Sequence, residues 1–336
     1  MLGLKTLFKN ITFWPHSHAV TAMLPEFPKF KPIELSDKEA VEKITSKYPP
    51  YSDFNFVSMW SWDIKGQMRI SALHGNLVVL FTDYLTSLPF YSFLGNNKVN
   101  ETVEELLQMS KNEGLKPELK LVPEDSIKGL DGGRFHIAED RDNFDYIYEV
   151  ESLMEMSSDK FGKKGQHSRF FKKNFMHEIK VLDLKSPLVK NELINLFNDW
   201  AADKDRTSTD YFKNEFSALS RFLNYSESIN FFAIGIYLEE KLISASITEN
   251  THSIYNLGHF QKSLTSSFKG LNDYLMNELA KMLNERKITY MNCEQDLGLL
   301  GLRESKESYL PSHYLKKFSL STNEQYRHSA ILNNKL

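Results

Sequence analysis

Residues 286–318, RKITYMNCEQDLGLLGLRESKESYLPSHYLKKF, constrain the fold more than any other stretch of this chain. A β-prone run, Ile288 to Asn292, leads into Glu294 and Asp296, carboxylates that at the end of a strand point into solvent or into a site. Asp296-Leu297-Gly298 supplies a turn whose glycine is free to take a positive φ. Leu299 to Ser308 then reads as a short helix carrying Arg303 and Lys306. Acids and bases therefore converge within about one helical turn of each other.

Strand and helix patterns of mixed type precede it. Ser36 to Lys47 reads as a helix capped by Ser36 and ended by Tyr48-Pro49-Pro50. The cluster Phe54, Phe56, Met59, Trp60 and Trp62 reads as a core corner, because aromatics dominate buried area. Strands are expected at Met68–Leu73, Leu77–Phe81 and Pro89–Leu94, the first two joined by a turn at His74-Gly75-Asn76. Asn100 is expected to cap a helix running to Lys111, and further strands follow at Glu118–Val122, Arg134–Ala138 and Phe144–Val150. Glu139 to Asn143 reads as a solvated turn. In the second half, Glu178–Leu182 is a strand, and Leu188–Lys204 and Thr209–Asn224 are helices. Phe231–Leu238, Lys241–Thr248 and Ser253–Phe260 are strands, and Phe268–Arg286 is a helix with one apolar face.

With 336 residues the chain has room for two domains, and 41% hydrophobic with 25% charged residues is the balance of a globular protein. A net charge of −3 gives no global attraction to nucleic acid or anionic membrane, so such binding needs a local patch. Lys160 to Lys173 is that patch, with six Lys or Arg and no acid. The single cysteine, Cys293, excludes an intramolecular disulfide and a multi-cysteine zinc site, and read simply it suggests a cytoplasmic location. No metal site is expected: H-E-x-x-H is absent, and His252 and His259, placed on one strand seven residues apart, would face opposite sides. No apolar run approaches the roughly 20 residues of a membrane span. Residues 1–28 are expected to be an arm, without a signal peptide since Lys5 and Lys9 break its apolar run, and Met23 is an alternative start; 323–336 reads as a tail.

Asn292, Glu294-Gln295-Asp296-Leu297-Gly298, Gly301-Leu302-Arg303, Lys306, Ser308-Tyr309 and Pro311 resemble the N-x-E-Q-D-L-G-x-x-G-L-R-x-x-K-x-S-Y-x-P signature of certain bacterial proteins. Those proteins are similar to the soluble C-terminal part of phosphatidylglycerol lysyltransferases. Lys160-Phe161 with Lys163-Lys164, His167, Phe171 and Lys172-Lys173 resembles the same family's K-F-x-K-K-R-N-H-x-x-x-F-K-K element. The chain departs from the pattern at Cys293, where the family usually has Arg, and at Gly165-Gln166, where it usually has Arg-Asn. The resemblance implies an α/β fold of two tandem N-acetyltransferase-like domains, 29–149 and 150–322, with the active cleft in or beside the second. It also implies transfer of an aminoacyl or acyl group from an activated carrier to an amine or hydroxyl, such as a phospholipid headgroup.

On that resemblance Glu294 and Asp296 are candidate catalytic carboxylates, either holding a donor's α-ammonium group or taking a proton from the nucleophile. The plainer alternative is that they satisfy N–H groups at the start of the next helix. Tyr309 is either a general acid or a core hydrogen-bonding tyrosine. Lys163, Lys164, Lys172 and Lys173 are candidate binders of tRNA or headgroup phosphate, against the plainer reading of a solvated helix face; His167 stands with them, against the reading of a surface or capping histidine, and Arg303 and Lys306 are placed to meet phosphate or to pair with the acid when the site is empty. Acyl-CoA-using members of this fold hold pyrophosphate on glycines before the long helix. Here KSLTSSFKGL offers only Gly270, with Ser266 and Ser267 beside it, so the cofactor loop is degenerate. An aminoacyl-tRNA donor would require no cofactor. Three readings stand: an aminoacyl transferase, an acyl-CoA-dependent N-acyltransferase, and a catalytically silent module that binds RNA or anionic lipid.

Overall fold

A computed structural model describes residues 23–83, 86–157, 161–207, 209–225, 231–252 and 254–323. Most of the expected arm, the tail beyond Asn323 and Lys160 lie outside them. The first part comprises β1 (Lys31–Pro32), α1 (Lys38–Thr45), α2 (Phe56–Trp62), β2 (Arg69–Leu73), β3 (Asn76–Thr82), β4 (Pro89–Leu94), α3 (Val99–Asn112), β5 (Leu119–Pro123), β6 (Phe135–Glu139) and β7 (Asp145–Glu149). There follow α4 (Val150–Met154), α5 (Lys163–Asn174), β8 (Glu178–Val181), α6 (Pro187–Asp203), α7 (Asp210–Tyr225), β9 (Phe231–Leu238), β10 (Lys241–His252) and β11 (Tyr255–Ser263). The chain closes with α8 (Leu271–Glu285), β12 (Tyr290–Asn292), α9 (Leu300–Glu307), β13 (His313–Leu315) and β14 (Lys317–Thr322).

Local chemistry explains where elements begin. Ser36 does not cap α1; it lies in a 3₁₀ turn, where Asp37 accepts from the Glu34 N–H at 2.9 Å. Asn100 lies inside α3, and its Oδ1 accepts from the Asp131 N–H at 2.8 Å. The aromatic cluster is itself helical, since Asn55 Oδ1 accepts from the Ser58 N–H at 2.9 Å and starts α2. α8 begins at Leu271, after Gly270 at φ 84°, and buries Leu271, Leu275, Leu279 and Leu283 at four-residue spacing. His252 and His259 fall on two strands, β10 and β11, not on one.

Among the described residues the strands form sheets β1-β2-β3-β4, β5-β14-β6 and β13-β7-β12-β11-β10-β9-β8. Sheet membership does not follow chain order across residue 150. β7, inside the stretch 29–149, pairs antiparallel with β12 and β13 in the large sheet. β14, inside 150–322, crosses back to pair with β5 and β6. Asp145 to Tyr148 of β7 are all buried, so the strand carries no alternation that would reveal its partners. One buried cluster runs from Val41, Phe54 and Met59 through Tyr146 and Tyr148 to Leu275 and Leu279, so the two parts share a core.

β11 and β12, connected through α8, pair in parallel over only three positions, Tyr255↔Tyr290, Asn256↔Met291 and Leu257↔Asn292. β11 then continues to Ser263 without that neighbour. Against β10 its register steps from Gly258 to Phe260, leaving His259 as a bulge. The sheet therefore opens just past Leu257 and Asn292, where Cys293 to Asp296 follow. Bulges collect beside active sites because they release and re-aim groups of the ladder.

Candidate active site

The segment after β12 is strained and tightly held. Glu294 and Leu297 have φ of 58° and 55°, values that cost a side-chain-bearing residue free energy. Lys306 secures the turn by donating to the carbonyls of Cys293, Glu294 and Gln295 at 2.5, 3.1 and 2.7 Å. Those bonds use all three of its protons, so Lys306 serves the backbone rather than a phosphate.

Asp296 is fully buried and fully engaged. Its Oδ2 accepts from Tyr146 Oη at 2.5 Å, Arg303 Nε at 2.9 Å and Arg141 Nη1 at 3.2 Å. Its Oδ1 accepts from Arg303 Nη2 and the Gly298 N–H, both at 2.8 Å. Burial alone would raise its pKa, but the bonds from Arg303, Tyr146 and Gly298 outweigh it and hold the carboxyl below its usual range. Arg303 also reaches Asp142 at 2.6 Å. In these positions Asp296 fixes the strand-to-helix turn, through side-chain partners and the Gly298 N–H rather than through N–H groups of α9 itself, and Arg303 is its two-pronged partner.

Glu294 differs. Among the described residues no hydrogen bond or ion pair engages its carboxylate. Its backbone is fixed instead, with its N–H on Asn292 Oδ1 at 2.7 Å and its carbonyl accepting from the Tyr146 N–H at 3.2 Å. Burial pushes its pKa up to about 8; Lys306 pulls the other way, and the charges of Asp145 and Asp53 add to the rise. A carboxyl that titrates near neutrality at the end of a strand is equipped for proton transfer. The neighbouring Cys293 thiol is pushed up to about 12 by burial, which removes it as a nucleophile at neutral pH.

Beneath this turn lies a buried junction in which signature residues meet Lys317, Asp53, Asp145 and Ser52, none of which carries a sequence signature. Lys317 of β14, fully buried, pairs with Asp53 and, at 2.7 Å, with Asp145 of β7. Ser52 donates its N–H and hydroxyl to the Asp145 carboxylate at 2.8 and 2.6 Å. Asn292 bridges the Pro50 carbonyl at 2.8 Å and Asp145 at 3.2 Å, and Gln295 reaches Asp53 at 3.3 Å. Asn292, Gln295 and Asp296 of the signature thus lock the two parts of the chain together. Arg141, expected in a solvated turn, donates to Glu307 at 2.6 Å as well as to Asp296.

The basic element and the start of α8 come together at a second place. Lys164 pairs with Asp273 at 3.1 Å and lies 4.0 Å from the centre of the Tyr309 ring; His167 Nδ1 approaches Asp273 at 3.4 Å. Tyr309 is buried, donates to Asp273 at 2.6 Å and accepts from Asn272 at 2.9 Å. Burial and the Asp273 charge hold its hydroxyl pKa well above the ordinary value, so it stays protonated within these two hydrogen bonds. A Cβ on Gly270 would stand 2.0 Å from the His167 carbonyl oxygen, so glycine here permits close helix packing. Ser267 is exposed, and Ser266 accepts from Lys204 at 2.7 Å. Lys163, Lys172 and Lys173 face solvent, and none forms an ion pair with another described residue. Phe170, 42% exposed, and Met176, 93% exposed, lie on or just beyond the same helix.

A family profile described as "Phosphatidylglycerol lysyltransferase, C-terminal" matches residues 45–321. No curated protein sequence matches the chain. Among solved structures, a conserved protein of unknown function from Bacteroides thetaiotaomicron aligns with a TM-score of 0.76 at 23% identity, over 90% of this chain and 100% of that one. The C-terminal domain of a putative lysylphosphatidylglycerol synthetase from Agrobacterium fabrum aligns at 0.60 and 11%, over 89% and 95%. L-PGS from Bacillus licheniformis aligns at 0.55 and 13%, over 85% and 91%. The mixed α/β fold expected from the sequence is the one found, and it is shared with the Agrobacterium fabrum synthetase domain. Among the described residues no helix is long and apolar enough to cross a membrane.

Proposed function

The chain belongs to the phosphatidylglycerol lysyltransferase C-terminal family, and from that premise we propose that it is an aminoacyl transferase. Its donor is an aminoacyl ester of tRNA and its acceptor a hydroxyl on an anionic phospholipid headgroup. The observation that carries the reading is Glu294, a strained, otherwise unengaged carboxyl where β11 and β12 part. In the reaction the acceptor oxygen attacks the ester carbonyl carbon while Glu294 takes the hydroxyl proton. The carbon–oxygen bond to the carrier then breaks, and the proton passes to the leaving oxygen. The products are a new ester and the free carrier hydroxyl, with no enzyme-bound intermediate. The β11 bulge at His259 interrupts the regular ladder beside this turn, the kind of irregularity from which a backbone N–H can be aimed at a tetrahedral oxyanion.

Two features favour this donor over acyl-CoA. Asp273 puts a negative charge in the first turn of α8, and α5 packs over Gly270, where pyrophosphate would otherwise sit. For the acceptor side, the exposed lysines of α5 beside Phe170 and Met176 suit a surface of anionic headgroups.

The test supplies labelled aminoacyl-tRNA with phosphatidylglycerol vesicles and extracts the lipid phase, beside acyl-CoA with an amine panel. Label in the lipid from tRNA is expected. Label only from acyl-CoA would install the N-acyltransferase reading, and binding without any transfer would leave a silent module.

A further inference from the structure

Glu294 holds a left-handed backbone conformation, φ 58°, which a residue with a side chain leaves unless its neighbours hold it there. Its carbonyl is held from β7 and α9, by the Tyr146 N–H at 3.2 Å and by Lys306 Nζ at 3.1 Å. Its N–H donates to Asn292 Oδ1 at 2.7 Å. An asparagine that accepts from the N–H two residues on closes a side-chain turn, which sets the direction in which the chain leaves the strand. Asn292 is the last residue of β12 and is fully buried.

The other end of the same amide explains why this residue is asparagine. Nδ2 donates to the Pro50 carbonyl at 2.8 Å and to Asp145 Oδ2 at 3.2 Å, so both of its protons are used. A donor facing one end and two acceptors facing the other admit a single orientation of the amide. An aspartate here would set a carboxylate oxygen against Asp145 and the Pro50 carbonyl, and a serine has one proton for two acceptors. Pro50 belongs to the first part of the chain and Asp145 to β7. On the other side of Glu294, Gln295 reaches Asp53 at 3.3 Å, so Glu294 stands between two residues anchored on segment 50–53. We propose that Asn292 is the positioning residue of the Glu294 base: it transmits the fixed geometry of segment 50–53 and β7 to the strained turn on which the base sits. The inference rests on the reading of Glu294 as the base. It gives the first part of the chain a share in the chemistry, through alignment.

The experiment measures transfer from labelled aminoacyl-tRNA to phosphatidylglycerol vesicles by the full chain carrying Asn292→Ala, Asn292→Ser or Glu294→Gln. Both Asn292 variants lack the two amide protons and so lose the anchor alike; only Asn292→Ser still offers an oxygen to the Glu294 N–H. Misplacing a reacting group by about 1 Å costs on the order of 100-fold in rate. Per folded molecule, Asn292→Ala should therefore lower kcat by roughly 10- to 100-fold with KM within about two-fold of wild type. Its rate should still rise with pH, since the base is present but misaligned. Asn292→Ser should recover at least about three-fold of the loss. Equal kcat in the two variants is the result of a purely structural role and would overturn the proposal. A loss confined to KM, or a flat pH profile in Asn292→Ala, would overturn it as well. If either variant does not fold, Asn292→Val and Asn292→Thr make the same comparison at matched size, and equal kcat again decides against it. Glu294→Gln keeps two failures apart. If it loses transfer and Asn292→Ala does not, this inference fails alone; if it transfers at the wild-type rate, the reading of Glu294 as the base is what fails.

Discussion

Replacing Lys317 by Met removes the one cation buried between Asp53 and Asp145 while keeping much of its length and volume. Lys317 is fully buried, as are both carboxylates, so the variant leaves two acids facing each other in a dry junction. Breaking a buried pair by deleting one partner costs about 3–5 kcal/mol. In a chain of this size that lowers Tm by on the order of 10 °C. The pH dependence has a definite sign. Burial raises the Asp53 pKa, and Lys317 is the largest influence opposing that rise. A carboxyl raised in the folded state binds its proton more tightly there, so its contribution to stability is lost as pH climbs from the unfolded value through the folded one. Without Lys317 the folded value climbs further. The deficit should therefore be largest at about pH 7–8 and shrink toward about pH 5 as Asp53 takes up a proton. Urea unfolding followed by far-ultraviolet circular dichroism at both pH values measures it. A loss below about 1 kcal/mol, or a deficit that grows in acid, would refute the reasoning.

Asp296→Asn keeps the shape but breaks the charge pairing with Arg303 and Arg141, and should cost about 2–4 kcal/mol of unfolding free energy by the same urea assay. Gly270→Ala forces a methyl group onto the His167 carbonyl at φ 84°, so α5 must shift from α8, with an expected loss of about 1–3 kcal/mol and faster hydrogen exchange in α5. Replacing Lys163, Lys172 and Lys173 together by Glu should abolish low-salt sedimentation with phosphatidylglycerol vesicles and leave Tm nearly unchanged, because all three are exposed.

Elements with a local signature were legible in the sequence. The His74-Gly75 turn fixed the first hairpin, with φ of 54° and 80°, and the four-residue spacing of leucines set α8. The 286–318 stretch announced a strand, a turn and a helix, and the structure has all three. Sheet membership of β7 and β14 was not legible, because nothing local to a strand names a partner more than 140 residues away, and β7 is buried on both faces besides. The roles within the signature were equally hidden. Asp296 and Glu294 are two residues apart and chemically alike, and only the positions of Tyr146, Arg141 and Arg303 make one a structural anchor and leave the other unengaged. Lys317 and Asp53 carried no motif at all. A buried lysine is recognisable only once its two acids are seen around it.

The pH–rate profile of aminoacyl transfer in the wild type, set against Glu294→Gln, tests the central claim most directly. Burial pushes the Glu294 pKa up to about 8, and the carboxyl must lose its proton to act as a base, so wild-type transfer should rise with pH toward a plateau above about pH 8. Glu294→Gln removes the titrating group while keeping size, and should lower the rate by roughly 100-fold or more and flatten the profile, with stability little changed. A variant that transfers at the wild-type rate with the same rising profile would contradict the assignment of Glu294 as the base.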